Sequence, residues 1–464
     1  MQLPEQLLAS LEGVDGFERE AFVAVHESEK QITSIRINPN KVESIGDLNL
    51  DSLAIHHSQF TIHDPVPWSQ YGYYLSQRPS FTFDPLFHAG CYYVQEASSM
   101  FLEQALKQSI DLTKSIKVLD LCAAPGGKST HIQSLITKDS LLVSNDVIKS
   151  RANILKDNII KWGGDNVVVT NNDPSDFTKL EGFFDVIVVD APCSGSGLFR
   201  RDEEAIDEWS LNNIELCSQR QQRILADVWP ALKQNGILIY STCSYSKKED
   251  EDILDWVREQ LSVVSCRLSV DSSEKIIEVR NQHDVYGYRF WPYNVKGEGF
   301  FIACFQKQGE GNSFDYRVKK RMEAITKKEK EIVQPFVEES DHFFIKNNNL
   351  VYAIPASLKD DINLLLGTLR VQYSGVIVGE LFGEKFVPSH SLATSLLVSK
   401  EIPPIELSRE DAIRYLQRKD ISISGKTTGW HLVKYNGYNL GWVKILSNRV
   451  NNYYPKELRI LKDS

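Results

Sequence analysis

Long apolar stretches are missing from the sequence, and no run approaches the roughly 18 residues that a helix needs to cross a bilayer. The first twenty residues, MQLPEQLLASLEGVDGFERE, are acidic and lack the basic start and continuous apolar segment of a targeting peptide. These absences argue against membrane and secreted proteins. They predict a cytoplasmic protein without a membrane partner.

Paired cysteines are also absent: the seven cysteines are thinly spread, odd in number and form no Cys-x-x-Cys pair or Cys/His cluster at zinc spacing. This pattern argues against structural disulfides and predicts that the protein holds no metal. The cysteines are therefore expected to remain thiols.

Positive charge is scarce, because 52 Lys and Arg stand against 62 Asp and Glu, a net charge of −10. Taken over the whole chain, this net charge disfavours a nucleic-acid partner, because clustered Lys and Arg side chains bind phosphate backbones. The acidity is concentrated in residues 1–60 and 201–260, whereas residues 316–330 and 421–464 each carry a net charge of +5. These two basic segments are where phosphate contacts are expected.

At about 150 residues per domain, the length predicts about three domains. In the middle of the chain, short apolar runs rich in β-branched residues alternate with helix-like stretches, which is typical of a parallel sheet covered by helices. We therefore predict a doubly wound α/β domain. The full prediction is an N-terminal auxiliary α+β domain (1–85), the α/β domain (86–307), a charged linker (308–345), a small α+β connecting domain (346–400) and a small β-barrel (401–464).

The segment after the first predicted strand of the α/β domain, VLDLCAAPGGKST, places small residues where a strand passes into a helix. Its Ala-Ala-Pro-Gly-Gly turn lets a ligand approach the backbone, and the helix start offers free amides to a carboxylate or phosphate. It matches neither GxxxxGK[ST] nor GxGxxG, so it carries neither nucleotide fingerprint. A plain strand-to-helix turn is the alternative.

Two further predicted strands end in aspartate. Asp146 lies about twenty residues after the glycines, where an acid can accept both ribose hydroxyls of an adenosine-containing ligand. Asp173 follows the third strand and is placed to accept from an adenine amino group. For each of them, capping of the next helix is the alternative.

The fourth and fifth predicted strands end in DAPCSGSG and STCSYS. Because carboxyl ends of neighbouring parallel strands share one edge, Asp190, Cys193 and Cys243 are expected to meet in one crevice. Core burial is the usual fate of an isolated cysteine. Two thiols so placed, however, indicate a site for covalent catalysis, since a thiolate is a strong nucleophile at neutral pH.

The motifs CAAPGGKS, DAPCSGSG and STCSY, in this order and spacing, resemble the RNA cytosine-5 methyltransferases of the Nop/Sun family. GWHLVKYNGYNLGWVKI and the following NNYYPKELR are similar to the terminal module of the bacterial RsmF branch. The likeness covers nearly the whole chain, including TSIRINP and HAGCYYVQEASSM. It implies a Rossmann-like methyltransferase sheet, an RRM-like N-terminal domain and a PUA-like C-terminal barrel that binds RNA.

The resemblance also implies that S-adenosylmethionine is the cofactor. Asp146 is expected at its ribose, Asp173 near its adenine and Asp190 between the cofactor and the target base. The loop expected to hold the methionine part comprises Cys122, Ala123, Ala124, Pro125, Gly126, Gly127 and Lys128.

In this family, the counterpart of Cys243 adds to C6 of cytosine, so that C5 becomes able to take up the methyl group. Asp190 is expected to hydrogen-bond N3 of the base, and Cys193 to assist the release of Cys243. The resemblance implies that the partner is 16S ribosomal RNA of the small subunit. It also implies that the enzyme acts as a monomer. The same reaction on tRNA or 23S rRNA, or a noncatalytic RNA-binding ribosome-assembly factor, remains open.

Because the reacting atom lies in a base ring, the cytidine must be single-stranded or swung out of its stack. Phe199, Arg200 and Arg201 are placed to support an exposed base, unless they only begin a helix. Arg289 either approaches the RNA or closes the sheet edge. The aromatic residues of the last module either stack on bases or fill a core: Trp430, Tyr435, Tyr438, Trp442, Tyr453 and Tyr454.

Overall fold

The computed structural model describes residues 3–28, 31–43, 46, 62–281, 283–309, 316, 322–339, 341–421, 423 and 427–462. Within these ranges, no helix combines the length and apolar character of a membrane span. Five basic residues of the two predicted basic segments lie outside them: Arg317, Lys319, Lys320, Arg321 and Lys426.

The N-terminal region forms a four-stranded antiparallel sheet in the order β2-β3-β1-β4. One of its two inner strands, β1, is buried along its whole length, including the polar side chains of Thr33, Ser34 and Arg36. This sheet confirms the predicted α+β N-terminal domain. The elements are α1 (Glu5–Leu11), α2 (Arg19–Glu27), β1 (Thr33–Ile37), β2 (Ile62–Pro65), β3 (Gly72–Leu75), α3 (Pro85–His88) and β4 (Tyr92–Val94).

The central sheet contains five parallel strands, in the order β7-β6-β5-β8-β9, and β13 extends it antiparallel beside β9. The five parallel strands are those predicted from the apolar runs. The sheet continues from β13 to β12 and β11, and β10 also pairs with β13. The strands are β5 (Lys117–Asp120), β6 (Leu141–Asn145), β7 (Val167–Thr170), β8 (Phe184–Asp190), β9 (Leu232–Thr242), β10 (Val263–Cys266), β11 (Ile277–Arg280), β12 (Tyr286–Phe290) and β13 (Phe300–Lys307).

Helices cover both faces of this sheet, which explains why its strands are apolar on both sides. On one face Leu119 belongs to a buried cluster with Ile224 and Ile253, and on the other Val118 clusters with Ile132 and Leu155. The helices of this region are α4 (Leu102–Ser109), α5 (Gly127–Leu135), α6 (Lys149–Trp162), α7 (Glu204–Glu208), α8 (Leu211–Val228) and α9 (Glu251–Gln260).

The next region forms a five-stranded sheet in the order β14-β15-β16-β18-β19. β17 leaves this sheet and pairs antiparallel with β7, so it adds an edge strand to the central sheet. The elements are β14 (Glu323–Ala324), α10 (Lys327–Val333), β15 (His342–Asn347), β16 (Leu350–Pro355), α11 (Lys359–Thr368), β17 (Val371–Ser374), β18 (Val376–Phe382), β19 (Lys385–Pro388) and α12 (His390–Thr394).

The C-terminal module is a four-stranded sheet in the order β20-β21-β22-β23. Asn436 and Gly437 join β21 to β22 in a two-residue hairpin with φ values of 49° and 80°, as a type I′ turn requires. The elements are β20 (Pro404–Glu406), α13 (Arg409–Leu416), β21 (Gly429–Tyr435), β22 (Tyr438–Ile445) and β23 (Val450–Asn452).

The predicted domain boundaries stay predictions, but two strands pair with a sheet that lies on the other side of a predicted boundary. β4 follows residue 85 and completes the N-terminal sheet, whereas β17 lies within residues 346–400 and extends the central sheet. The segments are therefore joined by backbone hydrogen bonds as well as by the chain.

Candidate active site

The carboxyl ends of the parallel strands β5 to β9 lie at one edge of the central sheet. The strand order reverses at β5, whose neighbours are β6 and β8, and ligands of open α/β sheets bind beside such a reversal. Every predicted cofactor-binding or catalytic residue lies at this edge or in a loop that leaves it.

The loop between β5 and α5 is fastened to its neighbours through backbone groups. Ala123 N donates to Asn145 O at 2.8 Å, and Arg151 and Asn158 donate to the carbonyls of Ala124 and Pro125, each at 2.9 Å. Side-chain donors thus hold the predicted cofactor loop in place.

Gly126 is the N-cap residue of α5 and has a φ of 116°, a left-handed conformation that favours glycine. Since glycine has no side-chain oxygen, it cannot cap the first amides of α5. Those amides are available to a carboxylate, so this helix start fits the methionine carboxylate of S-adenosylmethionine.

Charged groups meet between β5 and β8. The Lys128 ammonium lies 2.8 Å from Oδ2 of Asp190, while Ser241 Oγ donates to Oδ1 at 2.8 Å. Burial acts to lower the pKa of Lys128, but nearby anionic groups, Asp190 first and Cys243 among them, raise it above its ordinary value. Lys128 therefore stays charged beside Asp190.

Asp120, the last residue of β5, is a fully buried acid that the sequence argument did not single out. Ser129 Oγ donates to its Oδ2 at 2.6 Å, and its Oδ1 has no hydrogen-bond partner among the described residues. Burial, helped by the charge of Asp190, raises the pKa of Asp120 to about 7. This edge thus carries two carboxyl groups, of Asp120 and Asp190, against the single ammonium of Lys128. The excess of acidic groups suits a cofactor with a sulfonium and an ammonium group.

Cys193 and Cys243 are brought together, with their sulfur atoms 2.9 Å apart. The hydrogen bond with Cys243 raises the pKa of the Cys193 thiol well above its ordinary range, and burial acts in the same direction. Cys193 is therefore the thiol of this pair that keeps its proton.

The loops that carry the two thiols touch through backbone. Gly197 N donates to Cys243 O at 2.8 Å, and a Cβ on Gly197 would lie 2.5 Å from that oxygen and 2.7 Å from Gly299 O. No side chain fits at this position, so Gly197 allows the close approach.

Asp146 and Asp173 also lie at this edge, and both make local hydrogen bonds. Asp146 Oδ1 accepts from Ile148 N at 2.9 Å, and its Oδ2 lies 3.5 Å from Arg151. Asp173 is the N-cap of the 3₁₀ helix Pro174–Leu180 and pairs with Arg223 at 2.8 Å. Helix capping, the alternative for Asp173, is thus present, and its role at the adenine stays a prediction.

The expected support of an exposed base by Phe199 and Arg200 is wrong. Phe199 is fully buried among the residues that pack α1 and α2 against the α/β domain. Arg200 is also buried and lies 3.3 Å from the buried carboxylate of Glu298. Arg201 remains partly exposed.

Arg289 closes the sheet edge instead of approaching RNA. Its guanidinium is fully buried and lies 2.7 Å from Glu251 and 3.0 Å from Asp250. Of the aromatic residues in the C-terminal module, Tyr435, Trp442 and Tyr454 fill the core. Trp430, Tyr438 and Tyr453 are half-buried.

Sequence reasoning missed Asp120 and Glu249, which lies in a buried position between the two cysteine loops. Asp120 had a signal, since it is the single charge ending an apolar strand. Glu249 had none, because it stands in the run KKEDED, whose composition is that of an exposed surface.

Three family models match the chain. They are the 16S rRNA methyltransferase RsmB/F model over residues 107–306, the N-terminal domain of 16S rRNA methyltransferase RsmF over residues 3–97, and the methyltransferase RsmF PUA domain over residues 403–460. Together they account for the N-terminal sheet, the central sheet and the C-terminal module.

Two solved structures from Pyrococcus horikoshii share the central fold. A methyltransferase homologue is 27% identical with a TM-score of 0.51 and covers 66% of this chain and 100% of its own. The structure of NSun6 with SFG is 19% identical with a TM-score of 0.53, covers 66% of this chain and 99% of its own, and supports the fold alone.

Curated relatives extend the likeness to nearly the full length. The ribosomal RNA small subunit methyltransferase F of Psychromonas ingrahamii is 30% identical and covers 98% of this chain and 97% of its own. That of Vibrio vulnificus is 30% identical and covers 92% of this chain and 90% of its own. This chain therefore belongs to the RsmF family of S-adenosylmethionine-dependent methyltransferases.

Proposed function

We propose that this protein methylates C5 of a cytidine in small-subunit ribosomal RNA through a covalent bond between Cys243 and C6 of the base. The observation that carries the proposal is the pair of thiols of Cys193 and Cys243, 2.9 Å apart at the carboxyl edge of the sheet. Ser241, two residues before Cys243, also hydrogen-bonds Asp190 and links the acid to the same crevice.

S-adenosylmethionine supplies, when bound, a methyl group activated by a positively charged sulfur. We expect the uncapped amides at the start of α5 to bind its carboxylate and Asp146 to accept hydrogen bonds from its ribose hydroxyls. Asp120 and Asp190 add the negative charge that favours a cationic ligand here.

The chemistry begins at Cys243, whose thiolate adds to C6 of the cytosine and pushes electrons towards C5 and the N3/O2 side of the ring. Asp190, carrying a proton when the base is bound, is to hydrogen-bond N3 and stabilise this charge. C5 would then accept the methyl group, and the sulfur that carried it would leave as a neutral thioether. Loss of the C5 proton and cleavage of the bond between carbon and sulfur return Cys243 to its starting state.

Cys193 is to take the C5 proton, and the pairing of the thiols supports this role. The largest factor that holds its proton is the hydrogen bond with Cys243. Once the Cys243 sulfur is bonded to C6, this contact weakens, so Cys193 ionises more readily. The Cys193 thiolate, formed when the thiol gives its proton to water, is then the base at the stage that needs one.

The RNA target is proposed from the relatives, which are named small-subunit ribosomal RNA methyltransferases, and from the match to a PUA domain. Lys434 and Lys444 on the C-terminal module and Lys327 and Lys328 on α10 offer positive charge to phosphates. We further propose that the enzyme acts as a monomer in the cytoplasm.

The direct test incubates the protein with tritiated S-adenosylmethionine and small subunits, naked 16S rRNA, 23S rRNA or tRNA. Label is expected as 5-methylcytidine in small subunits or 16S rRNA. Label only in 23S rRNA or tRNA would move the proposal to that RNA, and no label in any of them would refute it.

The roles of the two thiols are tested by Cys243→Ala and Cys193→Ala, with Cys266→Ala as a control because Cys266 lies on β10, outside the crevice. Cys243→Ala should reduce methyl transfer at least a thousandfold. Cys193→Ala should accumulate a protein–RNA adduct that survives denaturation, since release is blocked. An adduct in Cys243→Ala, or none in Cys193→Ala, would contradict the assignment.

A further inference from the structure

Glu249 is a fully buried carboxylate in the short 3₁₀ helix Lys247–Glu249, which follows β9. Its Oε1 accepts from Ser194 N at 2.7 Å and from Gln221 Nε2 at 3.3 Å. Its Oε2 accepts from Ser194 Oγ at 2.5 Å and from Ser244 Oγ at 2.7 Å. One carboxylate therefore joins two loops and α8.

The partners of Glu249 are the residues that directly follow the two thiols, Ser194 after Cys193 and Ser244 after Cys243. The loops leave different strands, β8 and β9, and the chain connectivity does not hold their tips together, although the backbone bond from Gly197 N to Cys243 O joins the two loops. A group that accepts hydrogen bonds from both tips fixes their separation directly.

All four donors to Glu249 are neutral, so its charge is balanced by hydrogen bonds and not by an adjacent cation. Burial raises the pKa of Glu249, whereas the bonds from Ser194 and Ser244 act to lower it. A buried carboxylate is costly unless it is fully hydrogen-bonded, and these four bonds meet that requirement for Glu249.

We propose that Glu249 is a positioning residue that clamps the Cys193 and Cys243 loops at the separation that the thiol pair needs. The inference deepens the proposed function, on which its catalytic consequence rests. The clamp itself is a property of the fold and can be measured without the reaction.

The negative charge of Glu249 gives the clamp a second effect. It is one of the charges that raise the pKa of Cys193, after the hydrogen bond with Cys243 and burial. The other titratable groups around Glu249 are Cys217 on α8, Tyr240 on β9 and its neighbour Asp250. Removing the charge should therefore let Cys193 ionise at lower pH.

Three variants separate position from charge. Glu249→Ala removes both, Glu249→Gln removes the charge but keeps an oxygen acceptor, and Ser244→Ala removes one tie but keeps the charge. Ser218→Ala is the matched control, because Ser218 lies on α8 and donates to Lys248 O, beside the clamp but outside the thiol loops.

The separation of the thiols is read by disulfide formation with diamide, which takes up the two protons and two electrons that the thiols lose. Glu249→Ala should form the disulfide between Cys193 and Cys243 at least tenfold more slowly than the parent, and Ser244→Ala severalfold more slowly. Ser218→Ala should match the parent. Parent rates in both Glu249→Ala and Ser244→Ala would overturn the clamp.

The charge effect is read by alkylation of Cys193 with iodoacetamide between pH 6 and 10, followed by mass spectrometry. In Glu249→Gln the midpoint should move to lower pH, whereas a purely structural role would leave it unchanged. An unshifted midpoint with a parental melting profile would overturn this second effect.

Methyl transfer gives the catalytic consequence. The kcat of Glu249→Ala should fall at least tenfold while KM for S-adenosylmethionine changes less than twofold, because the clamp is lost and the predicted cofactor loop is untouched. Slower disulfide formation without any methylation by the parent protein would leave the clamp standing and refute the proposed function. Slower disulfide formation with an unchanged kcat would overturn the catalytic part of this inference.

Discussion

Asp120 shows how one buried residue makes the sheet edge sensitive to pH. The side chain is fully buried, and burial with the charge of Asp190 raises its pKa to about 7. A carboxyl whose pKa is raised by folding binds its proton more tightly in the native state. Its contribution to stability is complete below the unfolded pKa of about 4 and is lost as pH rises towards 7.

The variant Asp120→Asn removes this loss, because an amide does not ionise. Between pH 5 and 8, the stability of the variant relative to the parent should rise by about 3 kcal/mol, at roughly 1.4 kcal/mol for each pH unit below the pKa. Urea unfolding of both proteins at the two pH values measures the difference. A difference that stays constant with pH would contradict the assignment.

At the scale of elements, Arg36 links the N-terminal sheet to α5, the helix that follows the predicted cofactor loop. This fully buried residue of β1 donates to Thr130 Oγ1 at 2.6 Å and to Ser134 Oγ at 3.0 Å, both on α5. Its Nε donates to Gln95 Oε1 at 2.8 Å. A strand of one domain thus fixes the first turns of the helix that follows the cofactor loop of the other.

Replacing Arg36 with Met keeps much of the side chain length but leaves the acceptors on α5 unsatisfied, so the protein should lose about 3 kcal/mol of stability. Amide hydrogen exchange over residues 127–135 should become faster, and the Kd for S-adenosylmethionine should increase. Arg78→Met is the control, since Arg78 is exposed in the same domain. Unchanged exchange in α5 would show that Arg36 does not position this helix.

At the scale of the whole molecule, the C-terminal module shares a core with the N-terminal sheet. Ile35 and Tyr92 of that sheet belong to the same buried cluster as Leu416 and Val433. Arg409 also donates to Phe83 O at 3.3 Å. The two ends of the chain therefore stabilise each other, and the RNA-binding module is held in place against the catalytic part.

Leu416→Ala should test this shared core, because Leu416 is fully buried on α13. The full chain should lose about 3 kcal/mol of stability, as large-to-small core substitutions do. Amides of β1 and β4 should exchange faster, together with those of β21. Leu461→Ala, at an exposed position, should change stability by less than about 0.5 kcal/mol. Faster exchange confined to β21 would show independent modules.

The parallel strands and the position of the site were predictable because they depend on local patterns. Apolar runs with β-branched residues form buried strands, and carboxyl ends of parallel strands share an edge wherever the chain continues. The same reasoning placed Cys193 and Cys243 together. The same reasoning failed for Phe199 and Arg200. Phe199 is buried because α1 and α2 pack over it, and this is a contact between segments that are distant in the chain.

The sequence by itself determined the chemistry available to this protein: two thiols, an acid and a small-residue loop at the ends of neighbouring strands. Tertiary structure alone decided which thiol keeps its proton, which acids are buried and which group ties the loops together. Hydrogen bonding and burial set protonation and distance, and both depend on residues far apart in the chain. For that reason Glu249, in a run that looks like solvated surface, lies buried between the loops of Cys193 and Cys243.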